Sequence, residues 1–280
     1  MDRFRLKNII ILILVLVNAC LLASLAQRRS AERETFRRTV EQLVELFEGD
    51  GMTLDPRAIS RDSPPSGVAF ARDTEREAAA AAFLLGKSPT VTDQGGGIHH
   101  YTGAAGEAFF RSNGSFEASG VLAEKDAEDF CRDFCRAFSF VPPDVEPDGD
   151  GSAVVSAAAV YGGLNVFNCA VTFTIEENVL TAVSGTLLPK NGVETGESGE
   201  EAPLSAAGAL GAFQRMRRES VVVASSVTGT RLCYELLNSG AAISLAPVWQ
   251  IVTDTEDYYV NCSSAAVSAG GGARAGEGST

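Results

Sequence analysis

Histidine is nearly missing from this chain. It occurs twice, at the adjacent positions His99 and His100. That leaves little for metal ligation or for acid–base chemistry near neutral pH. On a strand the two rings point to opposite faces, so they make poor joint ligands and are expected at the surface. No C-x-x-C pair occurs, which removes the usual zinc and thioredoxin-type spacings. There is no Gly-rich phosphate loop, no G-x-G-x-x-G after a strand and no G-x-S-x-G elbow. Glu146, Asp148, Asp150 and Gly151 resemble the front of a calcium loop, but Ala157 stands where its closing Glu is required. No cofactor, metal site or catalytic group is therefore expected. Basic residues are also scarce, 23 Lys and Arg against 36 Asp and Glu. Five of the basic groups fall within residues 1–29, so the remaining 251 residues carry a net charge of −17. Such an acidic body repels a phosphate backbone, which excludes nucleic acid as a partner. The six cysteines are Cys20 in the apolar run and Cys131, Cys135, Cys169, Cys233 and Cys262 beyond it. They read as free structural thiols, with one disulfide open to a chain outside the cell.

What the chain does have is a long apolar run. Ile9 to Ala26 reads IIILILVLVNACLLASLA, with Asn18 and Ser24 as its only polar side chains. As a helix it spans about 27 Å at ~1.5 Å per residue, close to the ~30 Å hydrocarbon core of a bilayer. The reading adopted is an uncleaved single-pass anchor in the cell membrane. The alternatives are a signal peptide cut after Ser24-Leu25-Ala26, or a lipoprotein signal ending at Cys20. Arg3, Arg5 and Lys7 precede the run, and Arg28 and Arg29 follow it, so the positive-inside count is nearly balanced. The short N-terminus places residues 1–8 in the cytoplasm and the bulk of the chain outside. Within the span, Asn18 offers an amide to a neighbouring helix. Ala19 and Ala23 form a small-xxx-small pair that lets such a helix approach. Asn18, Ala19 and Ala23 are the candidate transmembrane contacts.

Beyond the span the pattern predicts an α+β body. Residues 27–48 form a juxtamembrane helix with Ser30 as a candidate N-cap. Phe36, Val40, Leu43 and Phe47 follow 4-3-4 spacing, as in a short stalk or in a helix laid against its own domain, the latter being preferred. Residues 49–121 are an N-terminal part with little pattern at first, then a helix over Glu75–Leu85. Short strands follow at Ile98–Tyr101, Glu107–Arg111 and Ser115–Ser119, the last two joined by the hairpin signal Asn113-Gly114. Residues 122–190 make a first unit. Its helix, Ala123–Phe138, carries an apolar stripe of Ala127, Phe130, Cys131, Phe134, Cys135 and Phe138, followed by a linker over 141–151. Its strands are Ala153–Tyr161, Asn165–Ile175 and Val179–Leu188. Phe167, Cys169, Val171, Phe173 and Ile175 share one face of the middle strand. After a flexible acidic loop over 190–203 the order repeats in residues 203–264. There a helix runs from Ser205 to Arg218, and strands lie at Ser220–Thr228, Arg231–Leu237, Leu245–Thr253 and Asp257–Ser263. The Ala/Gly/Ser-rich tail, 265–280, is expected to be disordered.

Met1-Asp2, Lys7, an immediate single span and two successive helix-plus-strand units give the layout. Near the end stand Pro247-Val248-Trp249-Gln250-Ile251 and Tyr258-Tyr259-Val260-Asn261. The whole resembles the YycI family of Gram-positive bacteria, whose outer part is similar to tandem PepSY-like domains. The departures are the five cysteines outside the span and the Gly-rich tail. The resemblance implies a non-enzymatic accessory regulator. It would act with a YycH-like partner on the sensor histidine kinase (WalK, also YycG) of a two-component system controlling cell-wall metabolism. The contacts would run through transmembrane helices. A different class of function, a secreted PepSY-type protease inhibitor or propeptide-like chaperone, belongs to the cleaved alternative.

Overall fold

The computed structural model describes residues 2–123, 126–143, 150–195, 202–219, 224–239 and 242–270, with backbone alone for 2–11 and 29. In chain order the elements are helix α1 (Asp2–Gly49), β1 (Thr53–Leu54), a single 3-10 turn at Pro56–Ala58, β2 (Gly67–Phe70) and α2 (Thr74–Leu85). Then come β3 (Thr90–Asp93), β4 (Ile98–Gly103), β5 (Gly106–Arg111), β6 (Ser115–Ala123) and α3 (Ala127–Phe138). β7 (Ala153–Tyr161), β8 (Leu164–Glu176), β9 (Val179–Thr186) and β10 (Val193–Thr195) follow. The chain closes with α4 (Ala206–Glu219), β11 (Ser226–Ser239), β12 (Ala242–Thr253), β13 (Asp257–Asn261) and β14 (Val267–Ala269).

The fold is α+β: one long apolar N-terminal helix and a large, mostly antiparallel sheet. The two helices expected over 9–26 and 27–48 are a single helix, α1. Residues 2–48 contain neither Gly nor Pro to break it. Ser30 is no cap, because its hydroxyl donates back to the Gln27 carbonyl (2.8 Å) within the helix. Forty-eight residues make α1 about 72 Å long at ~1.5 Å per residue. It stops where Gly51 takes φ +76° and the Met52 N–H returns to the Phe47 carbonyl (2.9 Å).

Helix followed by antiparallel meander occurs more than once. After α3, β8 pairs with both β7 and β9; after α4, β12 pairs with both β11 and β13. An earlier meander, β3 to β6, follows α2 and joins the first unit through the β6–β9 pair. The two units meet where β8 lies parallel to β11, with Val166 opposite Tyr234. There the Asn168 side chain extends the ladder. Its amide donates to the Leu236 carbonyl (2.9 Å), and its oxygen accepts from the Leu236 N–H (2.7 Å).

Burial follows from these pairings. One core lies under α2 and α3, around Phe110, Phe116, Phe134 and Phe173. The α3 stripe is buried as its spacing predicts, with Phe130 half-buried at its margin. A second core gathers Val40, Leu43 and Phe47 of α1, Leu210 and Phe213 of α4, and Trp249, Ile251, Tyr258 and Val260. The indole N–H of Trp249 donates to the Leu204 carbonyl (2.7 Å) just before α4. Alternate residues of the same strands, Val248 and Tyr259, lie on the other face with Cys233 and Phe167. Phe167 therefore does not share a face with Cys169. The β7–β8 register jumps between Ala158 and Ala159, so the alternation reverses there, and Val166 enters the first core instead. Phe167 stacks on Tyr259, ring centres 3.6 Å apart, which links the two units a second time.

Other differences come from short or bulged strands. The two strands expected at 220–228 and 231–237 form one, β11. A bulge between Val227 and Gly229 absorbs the apparent turn; residues 220–223 lie outside the described residues. β1 and β2, within the stretch with little pattern, pair with β11 and β12. In the acidic loop Val193–Thr195 pairs with β2, and at the start of the tail Val267–Ala269 pairs with β13. The rest of that loop (196–201), most of the 141–151 linker with Glu146 and Asp148, and residues 271–280 lie outside the described residues.

Candidate membrane-coupling site

From Leu12 onward the side chains of the apolar run stand exposed, Leu12, Leu14, Leu16, Leu21 and Leu22 each by more than 60%. The helix they ride on is long and apolar enough to cross a membrane. Exposed leucines in such number suit lipid and not water. Asn18, Ala19 and Ala23 are exposed with them. The Asn18 amide donates to the Leu14 carbonyl one turn back (2.9 Å). One of its two N–H groups is thereby satisfied inside its own helix, and the other N–H and the side-chain oxygen remain as donor and acceptor for a neighbouring helix.

The same helix is gripped at its other end. Exposure falls along it until Val40 and Leu43 are 8% exposed and Phe47 is fully buried. Phe47 stacks on Phe213 of α4 with ring centres 6.4 Å apart. Beyond the helix Asp50 closes the grip. Its carboxylate accepts from Arg218 Nε (2.9 Å) and from the Gln214 side chain, and its carbonyl accepts from Arg217 (2.9 Å). The bond from Arg218 holds the Asp50 carboxyl below its ordinary value of 3.8, helped by Gln214. A depressed carboxyl stabilises the folded state above its unfolded pKa and loses that contribution as pH falls through the folded value. The grip is thus expected to hold from pH 8 down to about 5 and to slacken progressively in stronger acid. Hydrogen exchange of α1 residues 40–49 against pH checks this.

Between the free and gripped halves lies a groove of about 400 Å³, lined by Arg33, Phe36, Arg61 and the start of α4. The Arg61 guanidinium sits 4.5 Å over the Phe36 ring. Here α1 leaves the body. Just above, Arg37 and Arg38 share Glu34, and Arg37 also reaches Glu41 (3.0 Å), so the exposed turns brace one another.

The histidines do part to opposite faces, but both are half-buried instead of at the surface. His100 Nε2 meets Glu107 (2.9 Å), and its ring stacks on Phe109 at 4.3 Å. His99 Nδ1 meets Glu77 (3.1 Å), a buried carboxylate held at two points by Arg72 (2.7 and 3.0 Å). This Arg72–Glu77–His99 group escaped the sequence reading. Its one signal was a Glu on the apolar face that α2 shares with Ala81 and Leu84. Among the described residues no three His, Cys, Asp or Glu come together to hold a metal ion.

Cys20, Cys131, Cys135, Cys169 and Cys233 are free thiols. Burial pushes the thiols of Cys131, Cys135, Cys169 and Cys233 up to about 12. Against an ordinary value of 9.0 that leaves roughly a thousandfold less thiolate, the reactive form. Native protein at pH 8 is expected to leave these four unlabelled by iodoacetamide, and denatured protein to label all of them, as peptide mass spectrometry reads. No protein-family model matches the chain, and no curated protein matches it.

Proposed function

We propose that this chain is a non-enzymatic, single-pass accessory regulator of the YycI type. Residues 1–8 lie in the cytoplasm and the PepSY-like α+β body lies outside. The helix would pack through Asn18, Ala19 and Ala23 against the membrane helices of a sensor histidine kinase of the WalK/YycG type and of a YycH-like partner. In this way it biases signalling to cell-wall metabolism.

The observation that carries this reading is the unbroken course of α1 from the apolar run into the second core. A contact made in the lipid and a force on the outer body then act on one rigid element, as coupling between two sites requires. Interhelical polar contacts contribute roughly 0.6–2 kcal/mol, or about three- to thirtyfold in association. Replacing Asn18, Ala19 and Ala23 together by Leu in the full-length protein is expected to reduce recovery of kinase and YycH-like partner from detergent by that factor. It should also change cell-wall gene output. If neither partner co-purifies with the intact protein, and a polyleucine span leaves gene output unchanged, the reading is wrong.

A further inference from the structure

The apolar run ends at Ala26, and a basic collar follows it at once. Residues 27–38 hold five arginines against two glutamates, in a chain whose outer body is strongly acidic. Arg37 and Arg38 are engaged by Glu34 and Glu41. Arg28 and Arg33 are exposed and meet no carboxylate among the described residues. Arg61, which the body contributes from across the groove, is exposed too and rests on the Phe36 ring alone. Glu32 and Asp62 also line the groove. Asp62 is bonded to Ser60 (2.7 Å), and among the described residues neither acid pairs with Arg33 or Arg61.

The groove opens towards the lipid. Its wall on the body side is Ser205–Ala207, at the level of Phe36 and Thr39. From there α4 runs beside α1 in the same direction, since Phe213 stacks on Phe47 and Arg218 reaches Asp50. The start of α4, with no acid in its first turn, therefore points back along α1 to the membrane end. Side chains on a helix lean towards its N-terminus, so Arg28 and Arg33 lean the same way. At ~1.5 Å per residue Arg28 stands about 3 Å and Arg33 about 10 Å beyond Ala26. The headgroup layer reaches roughly 5–7 Å past the hydrocarbon. Arg28 thus lies inside that layer, Arg33 reaches down to its outer surface, and Arg61 overhangs it from the groove.

From this placement we propose that Arg28, Arg33 and Arg61 form a footing that binds the phosphodiester groups of anionic phospholipid in the leaflet the body faces. Guanidinium suits phosphate through planar, charge-assisted hydrogen bonds. The groove, about 400 Å³, has room for one headgroup with its phosphate between Arg33 and Arg61. Each arginine beside a bilayer surface of this kind is worth about fivefold in affinity. A lipid held there ties α1 to segment 59–62 and to α4, and seats an acidic body on a surface that would otherwise repel it. The inference rests on the membrane-spanning part of the proposed function and not on its protein partners.

The test places the full-length protein alone in nanodiscs of phosphatidylcholine with increasing phosphatidylglycerol. Hydrogen exchange of residues 59–62 and 205–208 is read by mass spectrometry. Expected is slower exchange as the anionic lipid rises, and loss of that effect at ~1 M sodium chloride, where charges are screened beyond ~3 Å. In Arg33→Gln and in Arg61→Gln, both exposed positions, the phosphatidylglycerol content that gives half the protection should rise about fivefold. Equal exchange in neutral and anionic discs overturns the proposal and leaves the groove to a protein partner. So does protection reproduced in neutral discs by soluble glycerol phosphate, which would make the ligand a free phosphate. An undiminished lipid response in both variants overturns it as well. Failure of the protein to enter the discs overturns the spanning reading together with this one, whereas the other outcomes leave the spanning reading standing.

Discussion

Phe47→Ala is expected to cost about 3–5 kcal/mol, the range for emptying a buried aromatic site, and to free the gripped half of α1. Phe47 is fully buried, stacks on Phe213, and stands at the turn where α1 ends. Its removal leaves a void between α1 and α4 that neither helix fills without moving. The single tryptophan, Trp249, lies in the same core, so its fluorescence reports the loss as a lower denaturant midpoint. Trypsin gives a second reading, because Arg37 and Arg38 lie on the released segment. In the native protein they are braced by Glu34 and Glu41 and by the packing of Val40 beneath them. Faster cleavage there is expected in Phe47→Ala and not in Asn18→Leu. Under the proposed function the first variant would still meet its partners in the lipid but would no longer transmit to the outer body. An unchanged midpoint and tryptic pattern would mean that α1 is held by something other than its end.

Glu77→Ala is expected to be about as damaging, by 3–5 kcal/mol, for a different reason. Glu77 is 6% exposed, bonded at two points by Arg72 and touched by His99. Removing one member of a buried pair strands the other charge, which is the costly way to break such a contact. Arg72 would keep only the Gly97 and Phe110 carbonyls (2.8 and 3.4 Å). The group ties α2 to β4 and to the turn before it, so the first core should loosen while the second is spared. Urea unfolding by circular dichroism measures the total loss. The double variant Arg72→Met, Glu77→Leu separates the causes: it should recover much of the stability, because apolar replacement of a buried pair is often near neutral. A double variant as weak as Glu77→Ala would point to shape and not charge.

Much of the secondary structure could be read from the chain because its signals are local. The α3 stripe repeats every turn, and β7 ends where the reading over Ala153–Tyr161 ended. The Asn113-Gly114 signal lies where β5 gives way to β6. What could not be read depends on partners far away. β1, β2 and β10 are two to four residues long, and distant strands make them strands. The reversal at Phe167 comes from a register jump against β7, invisible to any alternation count. Ser30 looked like a cap because a serine before a periodic run usually is one; continuity of the helix on both sides overrode it. Of the candidate site, Asn18, Ala19 and Ala23 could be chosen from polarity and size. That the amide turns to Leu14, and that the same helix ends inside the body, needed coordinates.

The grip on α1 also sets a timetable. Arg218 follows Asp50 by 168 positions, and the strands that finish the second core come later still. During synthesis the greasy stripe of Val40, Leu43 and Phe47 emerges early and waits, uncovered, for almost the whole polypeptide. Until then it is a natural target for chaperones and for surveillance proteases. Ribosomal stalling anywhere before α4 should therefore yield a product that is destroyed, not a half-working anchor.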